Sequence, residues 1–439
     1  MTSIVFASLF FGLLVGNQKV GVMVDGPAAA VEYRLDGKPI GRVEKAPWEL
    51  QVDLGADLSP HELVARALDS EGRELARARQ WLNLPRERAE TKIAFERNAA
   101  GRTVAARLSW QSIVGSKPTA LSATFDGKAV AVDGSGRIAL PPHDPDKPHV
   151  LSVELEFPEG LRSRADAVLG GGSASEAQTE LTAIAVRMRK GNDFPPPKAL
   201  GGWFQVDGRP LRVVAVDDEG GEVLIVRDRD RTEAVEVLDP RPYVPPSGVR
   251  RPPPEPKGLR YEMGLGGGIR TRFVWPVPKR YADERVSSNH FEISRRRLDN
   301  LYYVLTRDFH PEGGDPHQSF SDATAVAGLV AFGTSARRAV VLVLGTRVDS
   351  SYYAPEAVRR YLASVRVPLH VWSLVDPATR PELSRWGAVV DISSVDKLRK
   401  AFLALKADLR SQRVVWFEGK HLPQKIALTE KAVGIDLVP

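Results

Sequence analysis

The chain has 439 residues, 43% of them apolar and 26% charged, a length that one hydrophobic core does not organise, so several globular modules are expected rather than a disordered or fibrous chain. Its 61 Lys and Arg against 55 Asp and Glu leave a net charge of +6, too small and too dispersed for a nucleic-acid-binding surface. Cysteine is absent, which excludes a disulfide framework, thiolate metal sites and a cysteine nucleophile.

The first element is apolar. Ile4 to Val15 (IVFASLFFGLLV) ends in the polar Gly16-Asn17-Gln18-Lys19 and is too short to span a bilayer as a helix. Its length suits the core of a secretory signal peptide, so residues 1–18 are expected as an export signal and the protein in the periplasm or cell envelope. The competing reading is a buried first β-strand. From Lys19, alternating segments such as Val31-Glu-Tyr-Arg-Leu35 and Glu49-Leu-Gln-Val-Asp-Leu54 are separated by turn dipeptides, notably Asp36-Gly37. This is the pattern of a β-sandwich. Asp36-Gly37-Lys38 recurs as Asp126-Gly127-Lys128, and Pro60-His61-Glu62-Leu63 recurs as Pro148-His149-Val150-Leu151. Matching landmarks at nearly matching spacing predict two related modules, 19–90 and 91–170. His61 and His149 each sit at the start of a strand, where packing is the expected role rather than chemistry.

After the flexible Gly170-Gly-Gly-Ser173, the segments Leu181–Val186, Trp203–Gly208, Leu211–Val216 and Glu222–Val226 read as a small β domain, 171–239. Eight prolines between Pro240 and Pro256 mark an extended spacer, 240–258. The periodicity then changes. Ala339-Val-Val-Leu-Val-Leu344 is continuously apolar, as a strand covered on both faces must be. Pro355 opens a helix with Val358, Tyr361, Leu362 and Val365 on one face. Strands at Pro368–Val375 and Ala388–Ile392 and a helix striped by Leu398, Phe402, Leu405 and Leu409 follow, with Arg413–Phe417 as an edge strand. The expected fold class is therefore multidomain: β-sandwich-like modules, then a doubly wound α/β domain over 259–439.

The order Asp322-Ala323, Arg337-Arg-Ala-Val-Val-Leu-Val-Leu344, the helix from Pro355 into Val367-Pro-Leu-His-Val-Trp372, and Leu405 to Val415 with Leu409-Arg-Ser-Gln412 resembles the von Willebrand factor A-like domains of bacterial envelope proteins, in the subgroup abundant in soil bacteria. The resemblance covers about 265 to 420. It implies a partner-binding domain in which an Asp-x-Ser-x-Ser loop after the first strand, then a Thr, then an Asp hold a divalent ion. Against that pattern, the first-strand candidate Phe273–Val277 leads into Pro278-Lys279-Arg280, the Thr position carries Gln318, and Leu344 is followed by Gly345-Thr346. No family-type metal site and no cofactor are expected at Pro278, Gln318 and Gly345. Contacts with an unidentified protein partner are then expected from the loops at the strands' carboxyl ends, above all Asp349, Ser350, Tyr352 and Tyr353. An alternative function is an envelope hydrolase or metal-binding protein using Asp308, His310, Glu312, Asp315 and His317, though interleaved Pro and Gly impose turns there. A purely structural scaffold is the third reading. Gly264-Leu-Gly-Gly-Gly268 lacks the spacing of a phosphate-cradling loop, and Arg295-Arg-Arg297 reads as a solvated face.

Overall fold

The computed structural model describes the chain except residues 1, 9, 11, 86–88, 99–100, 113–116, 127, 146–148, 158–160, 170–180, 190–193, 218–219, 228–261, 280–284, 287–289, 295–299, 307–317, 335 and 439. The Gly170–Ser173 linker, the whole Pro-rich spacer, Arg295–Arg297 and the Asp308–His317 loop thus lie outside the described residues. The chain forms two compact units: Met1–Pro85 with Ala183–Phe417 and His421–Pro439, and Arg86–Thr182 with Glu418–Lys420.

The smaller unit is a β-sandwich. Ala89–Arg97, Thr103–Ser112 and Arg137–Ala139 make one antiparallel sheet, and Ala120–Phe125, Lys128–Ala129, His149–Phe157 and Leu161–Leu169 make the other. Ile93, Leu108, Phe125, Leu151, Leu155 and Phe157 fill the space between them. The first 85 residues of the larger unit repeat this plan. Ser3–Phe6, Asn17–Asp25 and Trp48–Asp53 face Lys38–Val43, Ala30–Leu35, His61–Leu68 and Glu74–Leu82 across a core of Ile4, Val22, Tyr33, Val52 and Leu63. The repeated landmarks occupy equivalent places. Asp36 (φ 51°) and Asp126 (φ 49°) turn the corner of a hairpin in the left-handed region that Asp tolerates better than most residues. Each carboxylate then reaches the histidine that starts the strand paired alongside, 2.7 Å from Asp36 Oδ2 to His61 Nδ1 and 2.6 Å from Asp126 Oδ2 to His149 Nδ1. The two imidazoles therefore tie a turn to a strand.

The apolar stretch expected as an export-signal core is part of this fold. Ser3–Phe6 pairs with Asn17–Asp25, and Leu13–Leu14 pairs with Arg285–Val286. Leu13 and Leu14 are fully buried. Asn83, itself buried with φ 56°, accepts from Leu14 N–H (2.7 Å) and donates to Leu14 C=O (2.9 Å), so the strand's polar backbone is satisfied without water. Burial of a leucine side chain stabilises by about 1.5–3 kcal/mol, and here two adjacent ones are spent on joining this segment to the rest of the unit. The described residues hold no helix long and apolar enough to cross a membrane.

The parallel sheet contains β1 (Gly221–Arg227), β2 (Ile269–Val274), β3 (Arg338–Leu344), β4 (Leu369–Ser373) and β5 (Val389–Asp391), in the spatial order 2-1-3-4-5. β1 and β3 are buried along almost their whole length, which is why both read as unbroken apolar runs. The helices are α1 (Leu301–Thr306), α2 (Phe320–Gly333), α3 (Pro355–Ser364) and α4 (Val395–Ser411). α2 and α3 cover one face through Phe320, Val326, Val358 and Leu362, and α4 covers the other through Leu398, Phe402, Leu405 and Leu409.

This topology corrects three expectations. Residues 171–239 are not a separate β domain: Leu181–Met188, Phe204–Val206 and Val213–Asp217 pair with Ile435–Leu437, Ile426–Leu428 and Gln412–Glu418 respectively, around a shared core of Ile184, Val186, Phe204, Val415, Phe417 and Ile426. Arg413–Phe417 thus belongs to that antiparallel sheet and not to the edge of the parallel one. The central strand next to β3 is Gly221–Arg227, so Phe273–Val277 is not the first strand of the α/β sheet.

At the amino end of the sheet, Arg338 is fully buried. Its guanidinium donates to Phe332 O (3.0 Å) at the last turn of α2 and to Ala183 O (3.3 Å), with the Phe332 ring 4.8 Å away, and burial pushes its pKa down to about 9. A cation at a helix C-terminus is favoured by the helix dipole. Beside it Arg337 donates to Gly220 O (2.7 Å) and Gly267 O (3.0 Å). The Gly266–Gly268 turn, all at positive φ, leads into strand β2 and not into a helix, so it has the geometry of a strand entry rather than of a phosphate cradle.

Candidate functional site

Loops gather at the carboxyl ends of the parallel strands, around the place where the order 2-1-3 changes direction, the position at which open α/β sheets form their crevice. The β3–α3 loop, Gly345 to Ala354, is held there by an exchange of carboxylates with the start of α2. Asp349 accepts from Phe320 N (2.9 Å), Ser321 N (3.2 Å) and the Ser321 hydroxyl, and also from Ser351 N (3.2 Å) and Ser351 Oγ (2.5 Å). It fills the role of an N-cap, supplied from 29 residues away in sequence. In return Asp322, in the first turn of α2, accepts from Tyr352 N and Tyr353 N, each at 2.9 Å. Ser350 completes the lock by donating from N (2.7 Å) and Oγ (2.9 Å) to Gln318 O.

Asp322 is 2% exposed. Burial raises its pKa and the nearby Asp349 charge raises it further, while the two N–H donors lower it; the balance is a group pushed up to about 6. Burial also raises the Tyr353 hydroxyl, which donates to Leu13 O at 3.0 Å. The ring is 5% exposed, so Tyr353, expected as a contact residue, is a core residue instead. Its neighbour Tyr352, whose ring meets Tyr353 edge-on at 5.2 Å, is 53% exposed, and Val348 in the same loop is 74% exposed. Asp349 and Ser350 face inward bonds, leaving Val348 and Tyr352 as the loop's outward apolar groups. Arg380 fastens the loop's start by donating to Gly345 O (2.8 Å).

The three positions that depart from the family's ligand pattern come to this same end. Gln318 bridges Asp349, Ser319 N donates to Pro276 O (2.6 Å) two residues before Pro278, and Gly345 is held by Arg380. Among the described residues no group of three or more His, Asp or Glu side chains is arranged for a metal ion. The oxygens of Asp322 and Asp349 are engaged by N–H and O–H donors, which compete with a cation, so these two residues do not fit a divalent ion. The topology also moves the place where a family-type loop would begin. It follows β1, where the sequence reads Asp228-Arg229-Asp230-Arg231-Thr232; these residues lie outside the described ones.

The residues missed by sequence reasoning are Asp322 as a loop anchor, Ser321 and Ser351 as donors to Asp349, and Val348. A signal existed for the first pair: Ser319, Ser321 and Asp322 cluster at a helix start, as capping residues do.

No family model and no curated protein matches the chain. Among solved structures it is similar to the fibronectin(III)-like modules of Clostridium thermocellum CbhA, at 14% identity over 40% of this chain and 98% of that one with a TM-score of 0.16. It is also similar to the central fibronectin-III array of RIM-binding protein, at 13% identity over 44% and 81% with a TM-score of 0.24. A β-glycosidase from Bacteroides vulgatus gives 12% identity over 38% and 24% with a TM-score of 0.22. Likenesses at this level carry no argument, and the β-sandwich description rests on the strand pairings and cores given above.

Proposed function

We propose that the chain is a non-enzymatic protein-binding module of the von Willebrand A-like kind, working at the cell envelope, and that the β3–α3 loop is its contact surface. The observation that carries this reading is the pairing of exposure with fixation. Val348 and Tyr352 stand in solvent at the switch point of a doubly wound sheet, on a loop anchored by Asp322, Asp349, Ser350 and Arg380. A pre-ordered loop loses little conformational entropy on binding, and tyrosine supplies contact area with few rotatable bonds. The envelope setting is drawn from the family resemblance.

The test is capture of partners from envelope fractions with the full chain and with a Val348→Ser/Tyr352→Ala variant, followed by direct binding of the purified partner. The variant is expected to lose the partner while its melting temperature stays within about 2 °C, because exposed side chains add little to stability. A partner retained by the folded variant overturns the surface. Binding is expected to persist in EDTA; a requirement for magnesium would overturn the metal-independent part and direct attention to Asp228, Asp230 and Thr232.

A further inference from the structure

Asp322 and Asp349 lie on different elements, and each binds the backbone of the other's element. Asp349, on the loop, holds the first amides of α2, and Asp322, on α2, holds the Tyr352 and Tyr353 amides of the loop. Two carboxylates placed this way repel each other while both are charged. Many of the groups packed on this side of the sheet are apolar. From the sheet, β1, β2 and β3 present Leu224, Val226, Val274, Val340, Leu342 and Leu344 to this side. From α3 comes Tyr361, whose hydroxyl is turned to Asn83 O, and from the N-terminal strand comes the Leu13 carbonyl on Tyr353. The loop itself carries Arg347, two residues before Asp349, besides Tyr352 and Tyr353. Arg385 feels the charge of Asp349 and is itself paired with Glu356 of α3.

We propose that Asp322 and Asp349 form a proton-sensitive latch, which holds the β3–α3 loop against α2 more firmly once the pair has taken up one proton from solvent. The two loop amides bond different oxygens of Asp322, so the protonated form keeps its carbonyl oxygen as acceptor for one and a hydroxyl lone pair for the other, while its charge and the repulsion from Asp349 disappear. If the loop lifts away, water reaches Asp322 and its affinity for a proton falls back to that of an ordinary aspartate. The closed form thus binds the proton more tightly than the open form, and linkage requires that acidification favour closure. The direction is the reverse of acid loosening, the usual behaviour of aspartates held by cations. Any effect on partner binding rests on the contact-loop reading above; the latch itself does not.

Hydrogen exchange of the intact chain tests it, following the Tyr352 and Tyr353 amides between pH 8 and pH 5 after correction for intrinsic exchange, with the β3 amides as the reference for global stability. Their protection is expected to begin rising near pH 6 and to stand about tenfold higher at pH 5. Asp322→Asn is expected to abolish the pH response, and Asp349→Asn to move its onset to lower pH, a shift that a merely structural Asp349 would not produce. Protection that is independent of pH in the unaltered chain, or a response that survives in Asp322→Asn, overturns the latch. Neither result bears on whether Tyr352 meets a partner, and loss of the partner surface leaves the exchange result standing.

Discussion

At the amino end of the parallel sheet arginine side chains hold backbone carbonyls, and at the carboxyl end aspartate side chains hold backbone amides. α2 runs between the two and is served at both tips by residues from elsewhere in the chain: Arg338 reaches Phe332 O in its last turn, and Asp349 reaches Phe320 N and Ser321 N at its first. The signs agree with the helix dipole at each end. The difference lies in what protons can do. Arg338, even with its pKa pushed down to about 9, stays charged between pH 5 and 8, whereas Asp322 titrates within that range. One end of the sheet is a fixed foundation, and the other can change its hold on the loop above it.

The largest effect is expected from breaking the fixed end. Arg338→Ala leaves a cavity and removes donors from two buried carbonyls, and should cost about 3 kcal/mol or more in chemical denaturation. Arg338→Met keeps most of the volume and is expected to cost less than half as much; equal losses would show that the carbonyl contacts, and not packing, set the value of this residue. At the other end, Asp349→Ala removes a helix cap and the anchor of the loop, for an expected loss of about 2 kcal/mol. A loss under about 0.5 kcal/mol would mean that solvent replaces the carboxylate at no cost. The smallest effect concerns pH. The folded-state pKa of Asp322 lies above its ordinary value of 3.8, so the native state binds more protons in the interval between them, and this group's contribution to stability grows as pH falls through 6 and levels off below 4. The unaltered chain should therefore gain about 1 kcal/mol between pH 7 and pH 5 relative to Asp322→Asn. A gain of the same size in both proteins would assign the pH dependence to other groups.

Much of this was legible in the sequence where the signal was local. The helix from Pro355, the strand at Leu369–Ser373 and the helix carrying Leu398 and Leu405 announce themselves through periodicity, and the repeated Asp-Gly-Lys and His landmarks mark equivalent corners of two sandwiches. What was not legible depended on partners far away. Glu222–Val226 looks like any short apolar strand; only its pairing with Ile269–Val274 and Arg338–Leu344 makes it central. Leu211–Val216 and Arg413–Phe417 give no sign, taken singly, that they meet. The apolar stretch at Ile4–Val15 satisfies two physical descriptions at once, because an export signal and a buried strand both require unbroken hydrophobicity. The carboxylate exchange was hidden for the same reason: Asp349 and Ser321 are 28 residues apart, and no spacing rule connects them.

The strand at Leu13–Leu14 has a consequence for the order of events on the ribosome. Leu13 and Leu14 are synthesised long before two of their partners, Arg285–Val286 and the hydroxyl of Tyr353, which lies 340 residues downstream of Leu13. At about 5–20 residues per second, a bacterial-type synthesis rate leaves the segment without its final neighbours for tens of seconds. Over that interval Leu13 and Leu14 stay open to chaperones, or to a misplaced strand of another nascent chain. Completion of the larger unit is therefore a late, long-range closure, and slow by the measure of contact order.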